Sequence, residues 1–393
     1  MKSKTRTLFL ALIIGLLSCK EADIRPTASC SFVSPVAINT NHPKQADFNA
    51  ILTRYVKNGL PGISALVEDE DGVWIGQAGK ADIARNIPFL PCNPSKAASI
   101  TKLMVATLTF MLQEDGLLNI NDPIGKYIDG KILAKIENAE HVTIKNCLQH
   151  TTGIYDIIDD SEFYLAVLNN PNRQWEAEDL LKFAYGKKAL FATNQGVSYS
   201  NTNTALVGMC LDKVLGYHHS KALRQMLFEP LGMEQTYLQS REKLPENTAQ
   251  GYYDLYNNNT IVNVSNLITG SGNGYGGIFS TVTDLHKFIK ALYYDKTLIS
   301  EASLAIMQEW VPENDSEENN LGVGMVQKFK NFSEHLGMGH SGRDLGYSAD
   351  LFLFPTRNNR LMIFFVNYGT DGNTALRQVF RDFERELVLK IIE

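Results

Sequence analysis

The chain has 393 residues, 44% of them hydrophobic, enough to bury a large core, and this excludes a disordered polypeptide. Its formal charge of -6 at pH 7 supplies no basic field for a phosphate backbone, so no nucleic-acid partner is expected and a small molecule or peptide is.

Lys2, Lys4 and Arg6 precede the apolar run Leu8 to Leu17 and then Ser18 and Cys19, the layout of an export signal. The run is too short for a permanent bilayer span. Leu16-Leu17-Ser18-Cys19 resembles the lipobox of bacterial lipoproteins, which implies a signal over 1–19 and a membrane anchor through an acylated Cys19 in the cell envelope. Lys20 to about His42 is polar, rich in Ser, Thr, Asn and Pro, and reads as a tether over 20–43. One domain then fills 44–393, with a helical block over about 101–240 within it.

Phe48, Ile51, Leu52 and Val56 lie at helical spacing and predict a helix over about 44–58, ended by Gly59 and Pro61. Ile63 to Glu68 and Val73 to Gly79 flank Asp71-Gly72 and predict a β-hairpin. Helical patterns such as Leu103 to Leu117 and Thr204 to Leu215 dominate about 101–240. Ser348 to Phe354 and Leu361 to Asn367 predict two strands around the turn Pro355 to Arg360, followed by an amphipathic helix over about 374–392. The order predicts an α/β fold, its layer built from both chain ends around a helical insertion. Asn257 to Asn259 and Gly270 to Gly277 are expected as a flexible loop near the junction, where clefts form.

Of the five cysteines, Cys147 and Cys210 lie in apolar helical surroundings and are expected as inert buried thiols. The spacing leaves a Cys30–Cys92 bridge open.

Ser99-Ile100-Thr101-Lys102 opens a predicted helix. Ser and Lys three apart share a helical face, so the amine reaches the hydroxyl, and the first-turn N–H of Ser99 has no intrahelical partner. A serine becomes a nucleophile only when a base takes its proton, and a lysine serves only if its pKa is lowered. Tyr199-Ser200-Asn201 supplies a proton relay and an amide, and His340-Ser341-Gly342 precedes an apolar strand that lines the other wall. Each triplet is common by chance; Ser240/Lys243, Tyr256/Asn258 and His335/Gly337 repeat the three patterns. Context separates them, Ser240 reading as loop and His335 as solvent-exposed.

In order and context, the three triplets resemble the motifs of the serine β-lactamase and DD-peptidase superfamily, in its class C branch. Leu60-Pro61-Gly62, Gly116-Leu117-Leu118 leading to Asp122-Pro123, Leu148-Gln149-His150-Thr151-Thr152-Gly153, Pro230-Leu231-Gly232-Met233 and Gly276-Gly277-Ile278-Phe279-Ser280-Thr281 extend the resemblance from about residue 44 onward. It implies a β-lactamase/transpeptidase-like α/β fold, an antiparallel sheet flanked by N- and C-terminal helices. It makes Ser99 the acylated nucleophile, Lys102 its activator and Tyr199 the general acid and base. Asn201, His340, Ser341, Gly342 and Arg343 bind substrate, Arg343 through its main-chain N–H. No cofactor or metal is implied. The substrate is a D-Ala-containing peptide, an ester or a β-lactam.

His340 stands where class C β-lactamases carry lysine. A histidine of ordinary pKa is mostly neutral at pH 7, so a D-alanyl-D-alanine carboxypeptidase, D-amino-acid-specific peptidase or esterase outranks a dedicated β-lactamase. Arg343 is a candidate for the missing charge. A silent binding module of the same fold is the rival from another class, and loss of a triplet would be its sign; none is lost. His150 is expected to stabilise a turn, His218-His219 to be a solvated surface pair, and His335 and His340 lack a third ligand for a metal.

Overall fold

The computed structural model describes residues 24–270, 272–314, 316–370, 372 and 376–393. The segment that the sequence reads as an export signal, with Cys19, lies outside them. Among the described residues no helix is long and apolar enough to cross a membrane.

An antiparallel sheet of nine strands organises the fold. Its centre is β1 (Gly62–Asp69) and β2 (Gly72–Asp82) from the N-terminal part, and β6 (Gly337–Asp344), β7 (Tyr347–Phe354) and β8 (Arg360–Val366) from the C-terminal part. β3 (Ser95–Ala98), β4 (Ile278–Ser280) and β5 (Val326–Lys328) lie between them in sequence. In space the central order is β2-β1-β8-β7-β6-β5, with short strands at both edges. Chain ends meet where Ala65 pairs Phe364 and Ile63 pairs Val366.

Alternation on these strands fills two cores. Met362, Phe364 and Val366 join α1 (Gln45–Lys57) and the C-terminal helix α5 (Arg377–Ile392) on one face. Leu361, Ile363 and Phe365 join α2 (Ile100–Glu114), α3 (Asn201–Leu215) and α4 (Val282–Ile289) on the other. α2 is buried almost all round, as its run of apolar residues and threonines requires: Thr107 and Thr109 satisfy their hydroxyls on the carbonyls of Leu103 and Val105, one turn back.

Two local differences from the sequence reading matter. Before Ser99 the chain runs as strand β3, which pairs with β4; four residues between a turn and a helix are too short for a period to register. The segment expected as a loose tether is fastened to the domain. Thr27 Oγ1 donates to Thr248 O, Ala28 N to Glu246 O, and Cys30 is disulfide-bonded to Cys92. Backbone hydrogen bonds and a covalent bridge hold this segment, and neither needs apolar periodicity.

Candidate active site

α2 begins at Ser99, whose φ of -67° and ψ of -8° already place it on the helical path, and the strand before it ends on Ala98 at φ 48°. A left-handed alanine costs roughly 1 kcal/mol or more and turns the chain sharply from β3 into α2, leaving the Ser99 side chain at the mouth of a cleft of about 310 Å³. The cleft is also lined by Tyr199, Asn201, His340 and Ser341, so the structure brings all three triplets together.

Lys102 is 1% exposed, and its Nζ donates to Ser99 Oγ at 3.0 Å, Asn201 Oδ1 at 2.7 Å and the Tyr275 carbonyl at 2.6 Å. Burial lowers its pKa to about 7, against the pull of Asp156 and Asp344. These contacts say what the neutral amine does. Two fixed acceptors, Asn201 Oδ1 and Tyr275 O, occupy its two N–H groups, so its lone pair faces Ser99 Oγ, where a base must take a proton.

Asn201 is fixed from its other end, its Nδ2 donating to Asp156 Oδ2 at 2.9 Å; burial raises Asp156 to about 6. Tyr199 stacks on His150 with ring centroids 4.5 Å apart, and Lys102 Nζ lies 4.8 Å from the centre of the Tyr199 ring. His150 terminates its helix at φ 58°, and its Nδ1 accepts from Ser200 N at 3.1 Å. Burial, with Lys102 and His340 nearby, holds its pKa well below the usual histidine value, so it is a neutral platform for Tyr199.

The third triplet lies on β6. A Cβ on Gly342 would sit 2.0 Å from the Ala97 carbonyl oxygen, so only glycine lets β6 pass against β3 beside the nucleophile. His340 Nδ1 lies 2.5 Å from the Ser341 carbonyl, which assigns the proton to Nδ1 and leaves Nε2 as an acceptor. Burial and Lys102 lower His340 to about 3, so it carries no charge for a substrate carboxylate.

Arg343 does not replace that charge. Its guanidinium lies behind β6, donating to Gly342 O, Ala349 O and Asp350 Oδ1 and, through its other nitrogen, to Glu384 Oε1 on α5. Strand parity is the reason: Ser341 and Arg343 share one face of β6, His340 and Asp344 the other. Its residue still lines the cleft, as a main-chain donor requires.

Three participants escaped the sequence reading. Asp156 orients Asn201, the Tyr275 carbonyl binds Lys102, and Lys96 on β3, 1% exposed, reaches Asp344 Oδ2 at 3.1 Å and ties β3 to β6. None lies in a triplet, and the loop carrying Tyr275 was expected only as a flexible segment. His218-His219 is also corrected: His219 is buried, its Nδ1 2.8 Å from Asp212 Oδ1. The contact with half-buried Asp212 outweighs the polar composition that suggested solvent.

A buried, pKa-lowered lysine aimed at a serine on a helix N-terminus defines a serine hydrolase. The family described as Beta-lactamase matches residues 48–381, and the chain belongs to it. It is 25% identical over 324 residues to Penicillin-binding protein 4* of Bacillus subtilis, covering 78% of this chain and 68% of that one. It is 24% identical to Protein flp of Staphylococcus aureus, covering 82% of this chain and 63% of that one, so it spans about two thirds of these relatives. Among solved structures, a D-stereospecific amidohydrolase from Streptomyces sp. is similar at TM-score 0.74 and 25% identity, over 86% of this chain and 98% of that one. The D-amino acid amidase of Ochrobactrum anthropi SV3, complexed with L-phenylalanine amide, shares the fold at TM-score 0.78 and 22% identity, over 88% and 97% of the two chains.

Proposed function

We propose that the protein cleaves an amide or ester next to a D-amino acid, in a D-alanyl-D-alanine peptide or a related amide, through an acyl-enzyme on Ser99. The observation that carries this reading is the Lys102 amine, hydrogen-bonded to Ser99 Oγ with its other two contacts on fixed acceptors. Ser99 Oγ attacks the carbonyl carbon and its proton passes to Lys102 Nζ. The oxyanion is held by the main-chain N–H groups of Ser99 and Arg343. Tyr199 protonates the leaving group, whose bond to the carbonyl breaks, and in the second half takes a proton from the water that releases the acid. Asn201 positions the substrate amide. Similarity to the D-stereospecific amidohydrolase of Streptomyces, the D-amino acid amidase of Ochrobactrum and the penicillin-binding protein of Bacillus supports a substrate of this class. Tyr199-Ser200-Asn201 supports the class C branch.

The reading extends to the envelope. Residues 1–19 are proposed to export the chain and Cys19 to carry a lipid, and the Cys30–Cys92 disulfide supports an oxidising compartment. Loss of membrane partition in Cys19→Ala would be the expected result in cells.

Intact-mass analysis of the chain from Lys20, incubated with a fluorescent penicillin beside Ser99→Ala, tests the mechanism. A lasting adduct absent from the variant is expected; rapid release would mark a β-lactamase. No adduct together with no turnover of esters or D-Ala-D-Ala peptides would refute the reading.

A further inference from the structure

Lys102 works as a base only if no group but Ser99 competes for its lone pair. The Tyr275 carbonyl can only accept, but the Asn201 amide has a donor end as well. Turned end for end, it would aim Nδ2 at Lys102 Nζ and donate to the lone pair that Ser99 needs. The two ends of an amide have nearly the same shape, so packing does not choose between them; hydrogen-bond partners do. The partner on the far side of Asn201 is Asp156, which is buried and caps the short helical turn Ile157–Asp159. Its Oδ2 accepts from Asn201 Nδ2 at 2.9 Å and its Oδ1 from Ile158 N at 3.2 Å. Both oxygens face donors, and only a carboxylate has acceptors at both ends.

We propose that Asp156 is a positioning residue that locks the Asn201 amide with its oxygen toward Lys102, and so keeps the lone pair of the base free for Ser99. An asparagine at position 156 would not hold that lock. It would give its oxygen to Ile158 N–H, a main-chain donor that cannot turn, and its nitrogen to Asn201, whose amide would then turn over and point Nδ2 at the amine. The lone pair of Lys102 would be taken up, and its charged form, faced with a donor, would be disfavoured further. The titratable and charged groups beside Lys102 are few. His150 and His340 are neutral, and of the two carboxylates that favour its charged form, Asp156 and Asp344, the second stays in place on β6, bound by Lys96 and Thr269. Replacing Asp156 by asparagine therefore removes one negative charge and reverses one amide, and both changes favour the neutral amine.

This rests on Lys102 acting as the base for Ser99, so the parent is measured beside every variant. The second-order rate of Ser99 acylation by a fluorescent penicillin is followed from pH 5 to 9 in the parent, Asp156→Asn, Asn201→Ala and the double variant. Asp156→Asn is expected to lower the plateau about tenfold or more, the worth of one competing hydrogen bond to the amine, and to move the acid limb below that of the parent. A structural loss alone would let water reach the amine and move the limb the other way, toward the ordinary lysine value. In the Asn201→Ala background the same substitution leaves the plateau unchanged within about twofold, since Asp156 then has no amide to hold. Asp156→Ala, which releases Asn201 without forcing it over, gives a smaller fall with the same direction of shift, and decides the matter if Asp156→Asn does not fold. A parent-like plateau in Asp156→Asn, a limb moved upward, or an equal fall with and without Asn201 would each overturn the lock and leave Lys102 as the base. No adduct in the parent would overturn the base reading and the lock with it.

Discussion

Replacing Lys102 by methionine removes the amine and keeps nearly the same length of side chain, so it separates the chemistry of the site from its packing. The descent of the Lys102 pKa from 10.5 to about 7 corresponds, at 1.36 kcal/mol per pH unit, to about 5 kcal/mol of disfavour for its charged form in the fold. Because the folded pKa is the lower one, the unfolded chain binds the extra proton between pH 7 and 10.5. That cost is therefore fully present below pH 7 and is relieved as pH rises toward 10.5. Two consequences follow for the wild type and its Lys102→Met variant. Wild-type stability in urea gains up to about 5 kcal/mol from this group between pH 7 and 10.5, and the variant lacks that gain. In kinetics, wild-type kcat/KM for an ester rises with pH to a plateau above about 7, as the amine loses its proton. The variant has no such limb and is slower by about 10² to 10⁴, the usual contribution of a positioned base. Steady-state ester hydrolysis from pH 5 to 10 and urea titrations at pH 7 and 10 measure both. An unchanged acid limb in Lys102→Met, or a rate within tenfold of wild type, would refute the assignment of Lys102 as the base.

Gly342→Ala should push β6 away from the Ala97 carbonyl and misplace the Arg343 N–H; a fall in kcat of about 10² or more is expected from stopped-flow acylation, and full activity would show that this close approach is not needed. His150→Ala removes the ring beneath Tyr199 and the acceptor of Ser200 N, so a loss of about 1–3 kcal/mol in chemical denaturation is expected together with a lower kcat. Reduction of Cys30–Cys92, which spans 62 positions, should cost about 4 kcal/mol by loop entropy and release residues 24–43 to protease; an unmoved urea midpoint in reductant would contradict this.

The parts of the site that are local in the chain were legible in the sequence. Ser99 and Lys102 share a helical face because three residues nearly complete a turn, whatever the rest of the protein does. The hairpin Asp71-Gly72, the two C-terminal strands and the helices at both ends follow likewise from local period and turn chemistry. Tyr199-Ser200-Asn201 and His340-Ser341-Gly342 were found by their order and resemblance, since no local rule brings residues a hundred or more positions away to Ser99. Only the tertiary structure decided what surrounds the amine. Asn201 and Tyr275 meet Lys102 from 99 and 173 positions away, and the burial that their elements impose lowers its pKa. The same holds for charge along β6. A strand's side chains alternate, so a one-residue change of register would exchange His340 with Ser341 and send Arg343 to the cleft. Pairing with β7, fixed by apolar faces buried on both sides of the sheet, turned Arg343 toward α5, and pairing with β5 brought Lys328 to Ser341.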